Sequence, residues 1–192
     1  MQSFFKNYIP NRALGILVGT NSLVVIAASM LAPIYAMYIE RIGGNLLEAG
    51  ITGGIYFLAA GVTTLIAGRY ADIIKENELI LVWGYILTGV GFMLYMWIGS
   101  ILALLAVQVL IGFADALLSP AFDAIYSKHL DGGREGREWS FYGGVTYFST
   151  AAGAMIGGFI AMEFGFEILF TIMAVLCWVS AIYIYFIPRD VL

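Results

Sequence analysis

Residues 101–137 read ILALLAVQVLIGFADALLSPAFDAIYSKHLDGGREGR, an apolar run that carries Gln108, Gly112, Asp115, Ser119 and Asp123 and ends in a charged loop. At about 1.5 Å per residue, a helix from Ile101 to Lys128 would extend roughly 40 Å, longer than the ~30 Å hydrocarbon core of a bilayer. Asp115 then lies well inside the hydrocarbon, toward the charged end. Gln108, Asp115 and Phe122 recur every seven residues with Gly112 and Ser119 between them, so the polar and small positions share one helical stripe. Lipid cannot satisfy such a stripe, and it must face protein or a water-filled cavity.

The rest of the chain agrees with a membrane reading. It is 61% hydrophobic and 11% charged, whereas about a quarter of the residues of a soluble domain carry charge. Six apolar segments fit into 192 residues: Ala13 to Ile39, Leu46 to Ala67, Leu79 to Ile98, Ile101 to Tyr126, Trp139 to Met162 and Ile168 to Ile187. They are too long and continuous for barrel strands, so the expected class is an all-α polytopic membrane protein. The first apolar run is much longer than a signal-peptide core and reads as a retained span, preceded by a weak interfacial helix from Phe4 to Pro10. No segment remains for a soluble domain. The expected organisation is one six-helix domain, 1–192, with 1–11 as a cytoplasmic N-terminal segment.

Basic residues set the expected orientation. Lys6, Arg12, Arg69, Lys75, Lys128, Arg134, Arg137 and Arg189 fall on one side and only Arg41 on the other, which places both termini in the cytoplasm, in a plasma or inner membrane. Asn45 and Glu48 form a capping-box pattern, and Gly99-Ser100 makes a tight turn between two spans. Pro33 and Pro120 fall inside spans, where each removes a backbone hydrogen bond and can kink the helix. Cut at Gly99, the chain repeats faintly: spans one and four carry Asn21 and Asp115 with a later proline, while spans two and five carry Gly50-x-x-x-Gly54 and Gly153-x-x-x-Gly157. Three spans followed by three of opposite orientation, about 12–98 and 101–187, is an inverted repeat of the kind found in secondary transporters.

Several stretches resemble the major facilitator superfamily. Gly68-x-x-x-Asp72, followed by Lys75, is similar to the family's loop signature between spans two and three. Gln108-x-x-x-Gly112-x-x-x-Ala116 is similar to its span-four glycine spacing, with Gln108 where an arginine is usual. Gly153-Ala-Met-Ile-Gly157-Gly158 is similar to the antiporter motif, with Ala154 in place of its proline. The resemblance implies one six-helix half of a twelve-span fold. It is expected to be completed by a second copy of the chain, or to be a fragment whose other six-helix half lies elsewhere. It further implies that Gly68, Asp72 and Lys75 form a cytoplasmic gate, with Asp72 facing the N-terminal end of the partner's fifth span. Spans two and five would face the other half, which puts the partner surface on Gly50, Gly54, Gly153, Gly157 and Gly158; packing within the six-helix unit is the alternative for these glycines.

Asp115 is the first candidate for substrate or proton binding. No Lys or Arg shares its depth, and in a closed cavity its carboxyl is expected to be neutral, ionising when water or a cation enters. That behaviour suits proton coupling or a cationic small-molecule substrate; interhelical hydrogen bonding to Gln108, Asn21 or a tyrosine is the bland alternative. Asn21, Gln108 and Ser119 complete the candidate set. An intramembrane serine protease would need a Ser-His pair, and the single histidine, His129, lies in a loop, so no enzyme is expected. Ser119-Pro120-Ala121 superficially resembles the aquaporin tripeptide, but a channel of that kind needs two. A non-transporting assembly protein, for which the glycine faces alone would suffice, is the remaining alternative. A phosphate-binding loop and a metal-ligand cluster are both absent from the sequence, so neither a cofactor nor a metal is expected. The partners expected are membrane lipid, a second six-helix half, a small solute and protons, with no nucleic acid.

Overall fold

The structure, a computed structural model, describes residues 11–71, 76–188 and 191. The expected interfacial helix of Phe4 to Pro10 and the gate residues Asp72 and Lys75 lie outside the described residues. Helix α1 spans Arg12–Leu31. Its cap, Asn11, accepts a hydrogen bond from the Leu14 amide at 3.0 Å and donates through Nδ2 to the His129 carbonyl at 2.7 Å, which ties the start of α1 to the end of a later helix. At Pro33 the missing N–H interrupts the α-helical ladder. The chain passes through a 3-10 turn, Ala32–Ile34, into the short helix α2, Tyr35–Arg41. Gly43, with φ at +86°, ends α2 as the amides of Gly43 and Gly44 bond back to Glu40 and Ile39.

Helix α3, Leu46–Ala71, opens with the expected capping box: Asn45 Oδ1 accepts from the amides of Leu47 and Glu48, and Glu48 Oε2 accepts from the Asn45 amide at 2.8 Å. Helix α4 spans Asn77–Leu94 and is extended by a 3-10 turn, Tyr95–Trp97. Ser100 caps α5, Ile101–Lys128, through a bond from the Ala103 amide, and Pro120 is held inside this continuous helix.

The last helical run, α6, is a single stretch from Glu135 to Phe186 where the sequence reads as two spans. Its 52 residues would extend about 78 Å if straight, more than two hydrocarbon cores. It is not straight. Gly165 sits at φ +83°, ψ 172°, a conformation open to glycine and strained for other residues, and divides α6 into limbs 135–164 and 166–186. Contacts with α1 and α2 show that the limbs run in opposite directions. Along the first limb, Tyr142, Gly153 and Gly157 meet Asn21, Ile26 and Met30 in rising order. Along the second, Phe170 and Ser180 meet Tyr38 and Thr20 in falling order. The described residues thus make an all-α bundle with five helical runs long and apolar enough to cross a membrane, the last of which folds back on itself at Gly165.

Within the bundle α1 packs on both limbs of α6, α3 packs on α5, and α4 packs between α5 and the second limb. Glycines permit the closest approaches. A Cβ at Gly112 would stand 2.5 Å from the Tyr56 carbonyl oxygen of α3, and one at Gly153 would stand 2.5 Å from that of Ile26 of α1. One at Gly157 would overlap the backbone of Met30. For Gly153 and Gly157 this is the alternative of packing within the six-helix unit: both are buried against α1, because α1 runs parallel to the first limb at contact distance. Gly50, Gly54 and Gly158 have open space where a Cβ would stand.

Candidate functional site

The polar residues of α3 and α5 meet in a cavity of about 340 Å³ between α1, α3, α4 and α5. Val24, Ala28, Leu31 and Tyr35 line it from α1 and α2 at helical spacing; Tyr56 and Phe57 line it from α3, Thr88 and Phe92 from α4, and Gln108, Ile111 and Asp115 from α5. Asp115 is the one charged side chain among the described residues of its wall. One carboxylate oxygen accepts a hydrogen bond from the Tyr56 hydroxyl at 2.8 Å, and the residue is exposed on the cavity side. A phenol donating to a carboxylate is a charge-assisted bond, which orients the group while leaving its other oxygen open to the cavity.

Gln108 is buried, and its Nε2 donates to the Tyr35 hydroxyl at the α2 end of the cavity. Tyr35 in turn donates to Thr52 Oγ1 at 2.7 Å, and Thr52 to the Glu48 carbonyl at 2.8 Å. This chain of bonds satisfies each polar group in turn and joins α2, α3 and α5 above the carboxylate. Beyond it an aromatic cap closes the bundle: Tyr38 packs edge-on against Tyr95 and Phe170, at ring-centroid distances of 5.5 and 5.1 Å, and donates its hydroxyl to the Tyr95 carbonyl at 2.9 Å. Next to the cap, Arg41 stands over the Phe166 ring and 4.0 Å from Glu167.

The structure brings Asp115 and Gln108 into one cavity and leaves the other two candidates outside its lining. Asn21 is half-buried; its amide donates to the Tyr142 hydroxyl at 3.3 Å and accepts from that of Tyr85 at 3.5 Å, so three helices are joined there. Ser119, one turn past Asp115, is exposed on α5. Gly68 is an open position near the end of α3. The residues missed in the sequence are Tyr35, Thr52 and Tyr56. A signal existed for two of them, since Glu48, Thr52 and Tyr56 stand four residues apart and form a polar stripe in the otherwise apolar first half of α3.

Comparison with known proteins adds identity to this geometry. The chain is 26% identical over 159 residues to the uncharacterized MFS-type transporter YitZ of Bacillus subtilis, an alignment covering 81% of this chain and 94% of the relative. It is 25% identical over 172 residues to the uncharacterized MFS-type transporter MJ1560 of Methanocaldococcus jannaschii, covering 90% of this chain and 44% of the relative. Against the multidrug resistance protein MdtG of Klebsiella pneumoniae it is 24% identical over 168 residues, covering 85% and 40%. The chain thus spans less than half the length of the latter two relatives and nearly the whole of the first. The family described as Major Facilitator Superfamily matches residues 17–191. With nearly the whole chain inside that match, and with an all-α bundle of apolar helices around a polar cavity, the protein belongs to the Major Facilitator Superfamily of membrane transporters.

Proposed function

We propose that the chain is one six-helix half of a secondary transporter, built as an inverted repeat of 12–98 and 101–187 and completed by a second copy of itself. It moves a small solute by alternating access, has both termini in the cytoplasm, and uses Asp115 to bind a proton or a cationic solute. The observation that carries this reading is the exposed carboxylate of Asp115 on the wall of the cavity, within an apolar helix. An ionised carboxylate facing lipid at the bilayer centre is unfavourable by about 2.5–3.5 kcal/mol or more, and a second unit over this face would turn the lipid boundary into a hydrated cavity. Helix α3, which forms one flank of the cavity, is the least covered in the single chain: 6% of its most apolar window is buried, against 44–50% in the other four helical runs. A second reading, that a different sequence supplies the other half, is supported by the greater length of MJ1560 and MdtG.

The solute class follows from the lining. Phe57, Phe92 and Tyr95 line the same cavity as one carboxylate, which suits an apolar solute with one positive charge. The printed name of MdtG, a multidrug resistance protein, is compatible with that chemistry. Native mass spectrometry in nanodiscs tests the assembly: two chains of 20.9 kDa are expected, and a strict monomer would favour the second reading. Proteoliposomes with an imposed pH gradient test the mechanism with a fluorescent lipophilic cation. Asp115→Asn is expected to abolish gradient-driven uptake. Unchanged rate and pH dependence in that variant would remove Asp115 from the mechanism.

A further inference from the structure

Tyr56 touches α5 at two points. Its carbonyl oxygen lies 2.5 Å from where a Cβ would stand at Gly112, and its hydroxyl donates at 2.8 Å to Asp115 Oδ2, three residues further along α5. The backbone contact fixes α3 against α5 and so fixes where the phenol meets the carboxylate. The Tyr56 ring also stands edge-on to Phe57, with centroids 4.9 Å apart. We propose that Tyr56 is the specificity-determining residue of the cavity and selects solutes with a tertiary ammonium over those with a guanidinium, an assignment that rests on the reading of Asp115 as a cation-binding group.

The selection follows from the donors each cation brings and the acceptors it meets. A tertiary ammonium carries one N–H, and the Tyr56 bond leaves one carboxylate oxygen, Oδ1, open to the cavity to receive it. A monosubstituted guanidinium carries five N–H donors and binds a carboxylate best as a planar fork on both oxygens. Here the fork would have to share Oδ2 with the phenol or displace it. Few acceptors remain for its other donors. The Tyr35 hydroxyl already accepts from Gln108 and donates to Thr52, the Thr88 hydroxyl donates to the Gly84 carbonyl at 2.9 Å, and most of the other lining residues are apolar. Donors buried without partners are unfavourable, so the cavity disfavours the cation that brings more of them.

The test is calorimetric titration of the full chain in phosphatidylcholine nanodiscs, with empty nanodiscs subtracted. The probes are N,N-dimethylphenethylammonium and phenethylguanidinium at neutral pH, where both are cations. The native chain is expected to bind the ammonium roughly tenfold more tightly, the scale of one hydrogen bond to a charged group. Tyr56→Phe keeps the ring and frees Oδ2, and should move the ratio of the two affinities toward the guanidinium by a similar factor. A general loosening of the site would weaken both cations alike and leave the ratio in place. An unchanged ratio in Tyr56→Phe, or a native chain that binds the guanidinium as tightly as the ammonium, would overturn the assignment. Asp115→Asn locates such a failure. Both affinities lost there, beside an unchanged Tyr56→Phe ratio, would remove Tyr56 alone; binding absent from the native chain, or untouched by Asp115→Asn, would remove the reading of Asp115 and the assignment with it. Should Tyr56→Phe fail to fold, the native ratio decides.

Discussion

Gly50 and Gly54 on α3 have the same four-residue spacing as Gly153 and Gly157 on the first limb of α6, and their surroundings are opposite. A Cβ at Gly153 would meet the Ile26 carbonyl oxygen at 2.5 Å and Ser29 Cβ at 3.0 Å, whereas the α3 pair has no neighbour within 4 Å. Helix α3 does make a close contact, but through Tyr56, Ala59 and Ala60, and the glycine that permits it is Gly112 of α5. In these two close pairings, one glycine-bearing helix meets a neighbour that exposes its carbonyls. Small-residue spacing therefore marks a capacity for close approach without naming the helix that uses it.

Substitutions can break that contrast, with effects that run from large to small. Gly157→Leu places its side chain against the Met30 backbone, which cannot rotate away. The expected loss is about 3 kcal/mol or more, seen as loss of monodisperse protein or a sharp fall in the thermal midpoint in detergent. Gly153→Ala asks α1 and the first limb to separate slightly and should lower stability by about 1–3 kcal/mol in the same measurement. Gly50→Ala with Gly54→Ala should leave the midpoint of the isolated chain unchanged or slightly raised, because alanine exceeds glycine in helix propensity by about 0.8–1 kcal/mol per residue. The same pair sharpens the comparison in native mass spectra. A smaller dimer fraction at an unchanged midpoint would assign the α3 glycines to a second unit, and an unchanged fraction would leave them facing lipid.

Much of the bundle was legible from apolar segment length, and the capping box at Asn45 and Glu48 was legible in its detail. The two spans expected from Trp139 and Ile168 were harder to divide. Their junction holds one non-helical residue, Gly165, in place of the polar loop that normally separates spans. The heptad stripe of α5 was only partly informative. Gln108 and Asp115 reach the cavity, but Phe122 is buried and stacked near Tyr126 and Tyr142, because a straight helix drifts by ~20° per heptad. Tyr35, Thr52 and Tyr56 escaped notice for another reason. Tyrosine and threonine are common in membrane helices, and the four-residue spacing of Thr52 and Tyr56 does not say what they meet: Tyr35 and Tyr56 reach Gln108 and Asp115 of a helix more than fifty residues away, and Thr52 joins them through Tyr35.

The turn at Gly165 also bears on how the chain is made. With a single residue between limbs 135–164 and 166–186, and Glu163 and Glu167 exposed on either side, there is no slack for one limb to cross the bilayer while the other waits. The two limbs are expected to enter the membrane together as a preformed hairpin. An epitope tag or protease site inserted at this point would then block insertion itself, where the same insertion in the loop of 129–134 would be tolerated.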